Sequence, residues 1–275
     1  MNVSKIKNLF YVFYWYASYF RSRNKFLGRF KTFSLARLNV GEGYASSELL
    51  HKIINVNRLV LSGHIVQERD GVKLAVFENS IQINFYLLLE QALLNTNRVS
   101  VLDFGGGLGT TYRQFKFFTK QKVFWTIVEQ HQLVAEGIAN FSSEELTFTC
   151  EIPKTNYDVV LFSAVLDFVE DPYAILVEVS SKISPNLIIV DRSLFHCGPE
   201  DFYTLKATAK HITNGNKYPV AWFSKERFVS RMEALGYNKV DEWKTPDGQV
   251  VNRASVGVYR GFAFRKFDKS KHEVS

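Results

Sequence analysis

A carboxylate followed by a glycine-rich turn is the feature of this chain that most directly indicates chemistry. Asp103 stands two residues ahead of the first of four clustered glycines, which are Gly105, Gly106, Gly107 and Gly109. Because glycine has no Cβ, such a turn lets backbone amides approach a ligand closely and adopts dihedral angles that other residues avoid. The sequence therefore predicts a ligand-binding turn with an acid at its base.

The residues around the turn predict its place in a fold. Val99–Phe104 is rich in strand-forming residues, and Thr110 or Thr111 is expected to cap a helix that follows. A strand, a glycine turn and a helix in this order are typical of the ligand-binding edge of a parallel sheet.

Two classes of ligand compete for this turn. A nicotinamide or flavin site requires the spacing G-x-G-x-x-G, and the sixth position counted from Gly105 is Thr110 instead of glycine. A pyrophosphate would also lie beside the carboxylate of Asp103. S-adenosylmethionine has no phosphate, and its ammonium group and ribose hydroxyls donate hydrogen bonds to carboxylates. The turn favours S-adenosylmethionine as the cofactor.

A second acid follows the next predicted strand. Phe124–Val128 is that strand, and it ends in Glu129, twenty residues after Gly109. A doubly wound fold places the acid that binds a ribose at this point. We expect Glu129, with Gln130 beside it, to contact the cofactor.

The rest of the chain alternates between apolar strands and helical patterns. Strands are predicted at Asp158–Ser163 and Leu187–Val190, and helices at Gln132–Phe141 and Pro172–Lys182. This βαβ order predicts an α/β fold with a Rossmann-like doubly wound sheet over residues 99–267.

Parallel strands bring residues that are distant in sequence to one edge. Ligands of such sheets bind beyond the carboxyl ends of the strands. The segments expected to line this cleft are the glycine turn, Glu129, Ser163–Asp167 and Asp191–His196.

Several motifs together carry a resemblance to a known family. They are Glu68–Gly71, Val101–Tyr112, Val128–Gln130, Ser163–Tyr173, Asp191–Ser193 and Trp222–Ser224. The chain is similar to class I S-adenosylmethionine-dependent methyltransferases and, more narrowly, resembles a family of predicted methyltransferases from bacterial surface-polysaccharide gene clusters. The resemblance implies O-methylation of a sugar in such a polysaccharide or in its lipid-linked precursor. This chain has Ser193–Leu194 where the narrower family often has Thr-Pro.

Methyl transfer to a hydroxyl needs two aligned reactants and a base that accepts the hydroxyl proton. Asp191, at the end of a predicted central strand, and His196, on the loop predicted after it, are the first candidates for this base. Asp167 is the next candidate. The alternative for each is a structural role, as a loop-capping carboxylate or a solvated loop histidine.

Two other segments are expected to border the acceptor. Residues 42–98 are predicted to form an N-terminal helical cap with a hairpin turn at Asp70–Gly71 and an apolar helix at Gln82–Leu94. The long segment Ser193–Phe228 is predicted to supply an aromatic acceptor lid, although core packing explains some of its rings equally well. The cap residues that are candidates to face the acceptor are Tyr44, Glu68 and Arg69.

The net charge of +7 is concentrated at the N-terminus. Residues 1–41 contain eight basic and no acidic side chains, which leaves −1 for the remainder and argues against a nucleic-acid groove across the domain. Within this arm, Leu9–Phe20 is almost entirely apolar, and as a helix of about 18 Å it is too short to span a membrane. We predict either an interfacial membrane contact through residues 1–31 or packing on the protein itself or on a dimer partner.

Cysteine and histidine usage limits the remaining possibilities. Cys150 and Cys197 are too few for a disulfide framework and fit a reducing cytoplasm, and the histidines lack metal-ligand spacing, so no metal is expected. Residues 268–275 are predicted to be a flexible tail. The sequence leaves open the oligomeric state and two alternative functions, which are methylation of another small molecule or lipid and a non-catalytic membrane-associated scaffold.

Overall fold

A computed structural model describes most of the chain. The residues described are 25–40, 47–62, 67–69, 72–74, 88–89, 91–92, 98–119, 121–207, 217–252 and 255–267. The Leu9–Phe20 run, Tyr44, most of the helix expected at Gln82–Leu94 and the predicted tail lie outside them.

Twelve strands and six helices are defined in the described residues. The strands are β1 Lys25–Phe30, β2 Gln67–Arg69, β3 Val72–Leu74, β4 Val99–Phe104, β5 Val123–Val128, β6 Leu146–Thr149, β7 Val159–Ser163, β8 Leu187–His196, β9 Phe202–Ala207, β10 Lys217–Ser224, β11 Tyr237–Asn252 and β12 Ser255–Lys266. The helices are α1 Phe33–Arg37, α2 Ser47–Leu61, α3 Thr110–Phe118, α4 His131–Asn140, α5 Pro172–Lys182 and α6 Lys225–Ala234.

The central sheet has the doubly wound arrangement that the sequence predicts. Strands β6, β5, β4, β7 and β8 are neighbours in that order, and all of these pairings are parallel. The chain starts in the middle with β4 and winds outward in both directions. β12 then pairs antiparallel with β8, and β11 pairs antiparallel with β12.

Both faces of this sheet are buried, which explains the continuous apolar runs of its strands. One face packs against α2, α3 and α4 through side chains such as Leu50, Phe115 and Leu133. The other face packs against α5 and α6 through Leu176 and Phe228. Because β4, β5, β7 and β8 run parallel, their carboxyl ends lie at the same edge of the sheet.

Two local predictions are wrong. Neither threonine caps α3, because Gly109 is its N-cap residue with φ at 88° and no side-chain cap. The strand expected to end near Val190 continues to His196, so Asp191–His196 is not a loop. The continuation is stabilised by β12, which pairs with β8 as far as Phe195 around a register shift.

The main sheet continues beyond the far end of β8 through three further strands. β10 pairs in parallel with β8 at Phe195 and His196, β9 pairs antiparallel with β10, and β1 pairs antiparallel with β9. Phe26 of β1 is 3% exposed and makes an edge contact with Trp222 of β10, with centroids 5.5 Å apart. Residues 25–30, which the sequence includes in the basic N-terminal arm, therefore belong to the main sheet.

The N-terminal cap is described in part. α2 begins at Ser47 and packs on the core through Leu49 and Leu50. β2 and β3 pair antiparallel, with Arg69 opposite Val72, as the predicted hairpin at Asp70–Gly71 requires. Within the described ranges, no helix is both long and apolar enough to cross a membrane.

Candidate active site

The glycine turn is built from left-handed backbone conformations. Gly105, Gly107 and Gly109 have φ of 73°, 59° and 88°, a region that side chains with a Cβ rarely adopt. Gly105 donates its N–H to the carbonyl of Val128 at 2.9 Å, which joins the turn to the end of β5. An added Cβ on Gly107 would meet nothing within 4 Å, so the turn is open at this point.

Asp103 lies beneath the turn and is 1% exposed. Its Oδ2 accepts a hydrogen bond from Trp125 Nε1 at 3.0 Å, whereas its Oδ1 has no partner. Burial raises the pKa of Asp103 to about 7. A Cβ on Gly106 would lie 2.5 Å from Oδ2, so the missing side chain at Gly106 makes room for this carboxylate.

Glu129 lies beside the same turn, as predicted for the ribose-binding acid. Its Oε2 accepts from the N–H of Gln130 at 2.6 Å, and the carboxylate also accepts from the N–H of Gly107. Burial raises the pKa of Glu129 above its ordinary value. The structure thus brings Glu129 to the glycine turn, with Gln130 exposed at its side.

The end of β7 forms the neighbouring wall. Ser163 pairs with Asp191 of β8, and Ala164 donates its N–H to the carbonyl of Asp191 at 2.9 Å. Ala164 has φ of 55°, and a non-glycine residue in this conformation is typical of functional or strained positions. Val165 lies against Gly105, where an added Cβ would overlap its methyl groups. Ser163 and the glycine turn therefore border one site.

Asp191 resembles Asp103 in its surroundings. It is 2% exposed, and its Oδ1 accepts from Trp243 Nε1 at 3.0 Å. Burial raises the pKa of Asp191 to about 7. Trp243 reaches Asp191 from β11 across β12, and its indole lies over Gly261, where a Cβ would overlap the ring.

A bulge beside Asp191 sets the direction of its side chain. Arg192 has φ of 57°, and the β8–β12 register shifts opposite Gly261. The Arg192 side chain forms an ion pair with Asp247, with Nε and Oδ2 3.0 Å apart. The bulge leaves Asp191 at the end of the β7 pairing and turns the rest of β8 toward β10.

His196 and Asp167 are placed differently from Asp191. His196 lies five residues farther along β8, at most about 16 Å away for a strand rise of about 3.3 Å per residue. Its Nδ1 accepts from the N–H of Gly198 at 2.9 Å, and its Nε2 lies 3.1 Å from the carbonyl of Glu200. A base at His196 would first have to give up one of these bonds. Asp167 is fully buried, and its Oδ2 accepts from the N–H of Leu194 at 3.1 Å.

The expected aromatic lid is part of the core. Phe195, Phe202, Trp222 and Phe223 are each at most 3% exposed, so their faces are not open to an acceptor. Glu68 and Arg69 lie in the hairpin strand β2. In the part of the chain that the structure describes, no group of three potential ligands could hold a metal ion.

Sequence reasoning missed the two tryptophans and one glycine. Trp125 carries a usable signal, because it stands two residues before Ile127, the partner of Asp103, and so shares its face. Trp243 and Gly261 carry no local sequence signal, because their contact with Asp191 depends on the register of β11, β12 and β8.

Comparison with known proteins agrees with this architecture. No family model matches the sequence, and no curated protein matches it. A candidate sarcosine dimethylglycine methyltransferase from Galdieria sulphuraria is 14% identical over 70% of this chain and 89% of its own, with a TM-score of 0.50. The 1,6-didemethyltoxoflavin-N1-methyltransferase of Burkholderia thailandensis, solved with S-adenosylhomocysteine, is 15% identical over 83% and 94%, with a TM-score of 0.46.

A third similar structure is an S-adenosylmethionine-dependent methyltransferase from Clostridium acetobutylicum. It is 11% identical over 79% of this chain and 99% of its own, with a TM-score of 0.47. At these identities the likeness concerns the fold. The chain has the Rossmann-like fold of class I S-adenosylmethionine-dependent methyltransferases.

Proposed function

We propose that this protein is an S-adenosylmethionine-dependent methyltransferase. The observation that carries the proposal is the open glycine turn joined to Glu129, in a sheet of the methyltransferase fold. Glu129 has a fixed carboxylate beside Gly107, which suits two neighbouring ribose hydroxyls. The unpartnered Oδ1 of Asp103 lies beneath the turn and suits a donor such as the cofactor ammonium.

The residues that would hold the cofactor share one edge of the sheet. They are Asp103, Gly105, Gly106, Gly107, Gly109, Glu129, Gln130 and Ser163. Because Asp103 is buried and bound to Trp125, we assign its main effect to the shape of the turn, with a polar contact through Oδ1. The bound cofactor supplies an electrophilic methyl group on a sulfonium sulfur.

We propose Asp191 as the base that accepts the acceptor proton. Asp191 would hold the proton that the acceptor hydroxyl gives up when it receives the methyl group from the bound cofactor. A base works best when its pKa lies near the working pH, and burial raises the pKa of Asp191 to about 7. Trp243 holds one carboxylate oxygen and fixes its direction.

We propose a sugar of a bacterial surface polysaccharide, or of its lipid-linked precursor, as the acceptor. The motifs named above support this class, and O-methylation follows from the hydroxyl chemistry of such an acceptor. Mass spectrometry of the surface glycan from cells with and without this protein tests it. A methyl group that disappears from one sugar supports the proposal, whereas an unchanged glycan and a changed lipid or small molecule contradict it.

The cofactor is tested separately by thermal denaturation. S-adenosylmethionine or S-adenosylhomocysteine should raise the melting temperature, and NAD should not. A shift with NAD alone would contradict the assignment of the turn. This measurement needs no knowledge of the acceptor.

We also propose that the N-terminal arm contacts the cytoplasmic face of a membrane. Because β1 is part of the sheet, we restrict this contact to residues before Lys25, instead of the range 1–31. The supporting observation is the sequence itself, in which an apolar aromatic run lies between basic residues. An acceptor attached to a lipid would be presented at the same surface.

A further inference from the structure

Strand β8 changes its partner partway along, and the change leaves a gap in the sheet. β8 pairs with β7 as far as Asp191 and with β10 at Phe195 and His196, while β12 occupies its other edge. Between these points the edge forms no pairing with β7 or β10 in the described residues. The N–H of Leu194 donates instead to Asp167 Oδ2. A carboxylate therefore lies where a strand would otherwise continue.

Three buried polar side chains lie at this gap, and they are Asp167, Ser193 and Tyr259. The Ser193 hydroxyl hydrogen-bonds to the Asp167 carboxyl, whereas Asp167 Oδ1 and Tyr259 OH have no partner among the described residues. Asp167 and Ser193 are 0% exposed, and Tyr259 is 7% exposed. Ser193 precedes Leu194, and Tyr259 pairs with Leu194 in the ladder between β8 and β12. We call Asp167, Ser193 and Tyr259 the polar cluster.

Such a cluster is energetically unfavourable without a partner. Each buried donor or acceptor that lacks a hydrogen bond costs about 1–3 kcal/mol, and native proteins contain few of them. The cluster is also next to the proposed base, because Asp191 ends the β7 pairing only three residues before Leu194. A ligand group that completes these hydrogen bonds explains why they are kept together.

The surroundings of the cluster define the chemistry of that group. Burial, with the nearby charges of Asp167 and Asp247, raises the pKa of Tyr259 far above neutrality, so its hydroxyl is a donor. Asp167 offers an acceptor, and an anion would be repelled by it. The rings of Phe168 and Tyr218 meet edge to face at 5.8 Å, and the Lys206 ammonium lies 5.3 Å from the Phe168 centroid. A neutral hydroxyl both accepts from a phenol and donates to a carboxylate.

We propose that the polar cluster binds a hydroxyl group of a neutral, hydroxyl-bearing acceptor and holds that molecule beside Asp191. The inference rests on the proposed function, since it assigns the acceptor side of the same site. Because the cluster is buried, binding requires local opening of the residues that cover it.

The first experiment measures stability without any ligand. Tyr259→Phe removes an unpartnered oxygen, so the melting temperature should rise by about 2–4 °C for each kcal/mol gained. Tyr237→Phe is the matched control, because its buried hydroxyl donates to the carbonyl of Pro185 at 3.1 Å. This control should melt lower than the wild type. A melting temperature that falls in Tyr259→Phe would show that its hydroxyl is already satisfied and would overturn the proposal.

The second experiment measures binding by saturation-transfer NMR in the presence of S-adenosylhomocysteine. The probes are the methyl glycosides of glucose, galactose and mannose, with glucuronate as the charged comparison. At least one neutral glycoside should bind the wild type, with binding at least tenfold weaker in Tyr259→Phe and little binding of glucuronate. Tyr237→Phe should bind as the wild type does.

Three results would contradict specific steps. Equal glycoside binding by the wild type, Tyr259→Phe and Ser193→Ala would remove the cluster from the acceptor site. Preference for glucuronate would contradict the neutral ligand class. A wild type that binds S-adenosylhomocysteine but none of the glycosides would overturn this inference alone, whereas failure to bind S-adenosylhomocysteine would overturn the proposed function.

Discussion

The two halves of the site each contain a buried aspartate that accepts a hydrogen bond from an indole. Asp103 and Trp125 are 22 residues apart and lie on the adjacent strands β4 and β5. Asp191 and Trp243 are 52 residues apart, and β12 lies between their strands. The first pair belongs to one βαβ unit, and the second is assembled from the C-terminal strands.

The two indole–aspartate hydrogen bonds thus depend on different kinds of strand pairing. Trp125 needs only the parallel register of neighbouring strands to face Asp103. The indole of Trp243 must reach across β12 to contact Asp191, and it can do so because Gly261 of β12 has no side chain. The proposed cofactor half therefore depends on the pairing of neighbouring strands, whereas the proposed acceptor half depends on pairing between strands that are distant in sequence.

Replacement of either aspartate by asparagine should have the largest effect and should affect the two halves of the site differently. Asp191→Asn removes the proposed base, so turnover should fall by about 10²–10⁴ while cofactor affinity stays unchanged. Asp103→Asn should instead weaken cofactor binding. Turnover of the purified variants and calorimetric titration with S-adenosylhomocysteine check both expectations. Full turnover in Asp191→Asn would move the base elsewhere.

Loss of Glu129 tests the cofactor half. Glu129→Ala should weaken binding of S-adenosylhomocysteine by about 1.5–3 kcal/mol, the range for a hydrogen bond to a charged group. Glu129→Gln keeps the shape and one acceptor oxygen, so it should lose less. Calorimetric titration measures both variants. An unchanged affinity in Glu129→Ala would contradict the ribose contact.

Gly261 tests the long-range contact of the acceptor half. Gly261→Ala forces the indole of Trp243 away from Asp191, which should lower the free energy of unfolding by about 1–3 kcal/mol. Once Trp243→Phe has removed the indole, the same alanine should have a smaller effect. Urea unfolding of the two single variants and the double variant gives this coupling. Additive effects would show that Gly261 does not act through Trp243.

The pH dependence of stability distinguishes the buried carboxyls from exposed ones. Burial raises the pKa of Asp103, Asp167 and Asp191 from 3.8 to about 7, so the folded state retains protons that the unfolded state has lost. Their contribution therefore destabilises the fold progressively as pH rises from about 4 to about 7, and it is constant above that range.

The corresponding measurement is the melting temperature at pH 5.5 and 7.5. Asp103→Asn should reduce the fall in melting temperature between these values, because an amide does not titrate. Equal pH dependence in the wild type and Asp103→Asn would contradict the raised pKa of Asp103.

Deletion of residues 1–24 is expected to have the smallest effect on the site. Cofactor binding should be unchanged, because the truncation leaves β1 in the sheet. The full-length protein should sediment with anionic vesicles and be released in part by high salt, whereas the truncated protein should remain in solution. Equal vesicle binding by both proteins would contradict the membrane contact.

The parts of the fold that could be predicted are those with local signals. The glycine turn, Glu129 and the bounds of α5 follow from strand patterns, turn residues and helix caps within short windows. The Asp171 side chain caps α5 by accepting from the N–H of Ala174, and Pro172 opens the helix. These interactions span three or four residues, so they are visible in the sequence.

The parts that could not be predicted depend on pairing between distant strands. Asp191–His196 looks like a loop because Asp191, Arg192 and Ser193 are polar, yet β12 holds the segment as a strand. The gap at Leu194 and the polar cluster arise from the same pairing. No local sequence pattern indicates that Tyr259 belongs to the polar cluster, because it stands among the apolar residues of strand β12.

The position of β1 has a consequence for the biosynthesis of this chain. Asn252 Nδ2 donates to the carbonyl of Gly28 at 2.7 Å, across 224 residues of sequence. At a translation rate of about 5–20 residues per second, β1 would leave the ribosome roughly 10–45 s before this partner is made. The early segment β1 would thus be among the last to be fixed, and a chaperone or a nearby lipid surface would have that interval in which to engage it.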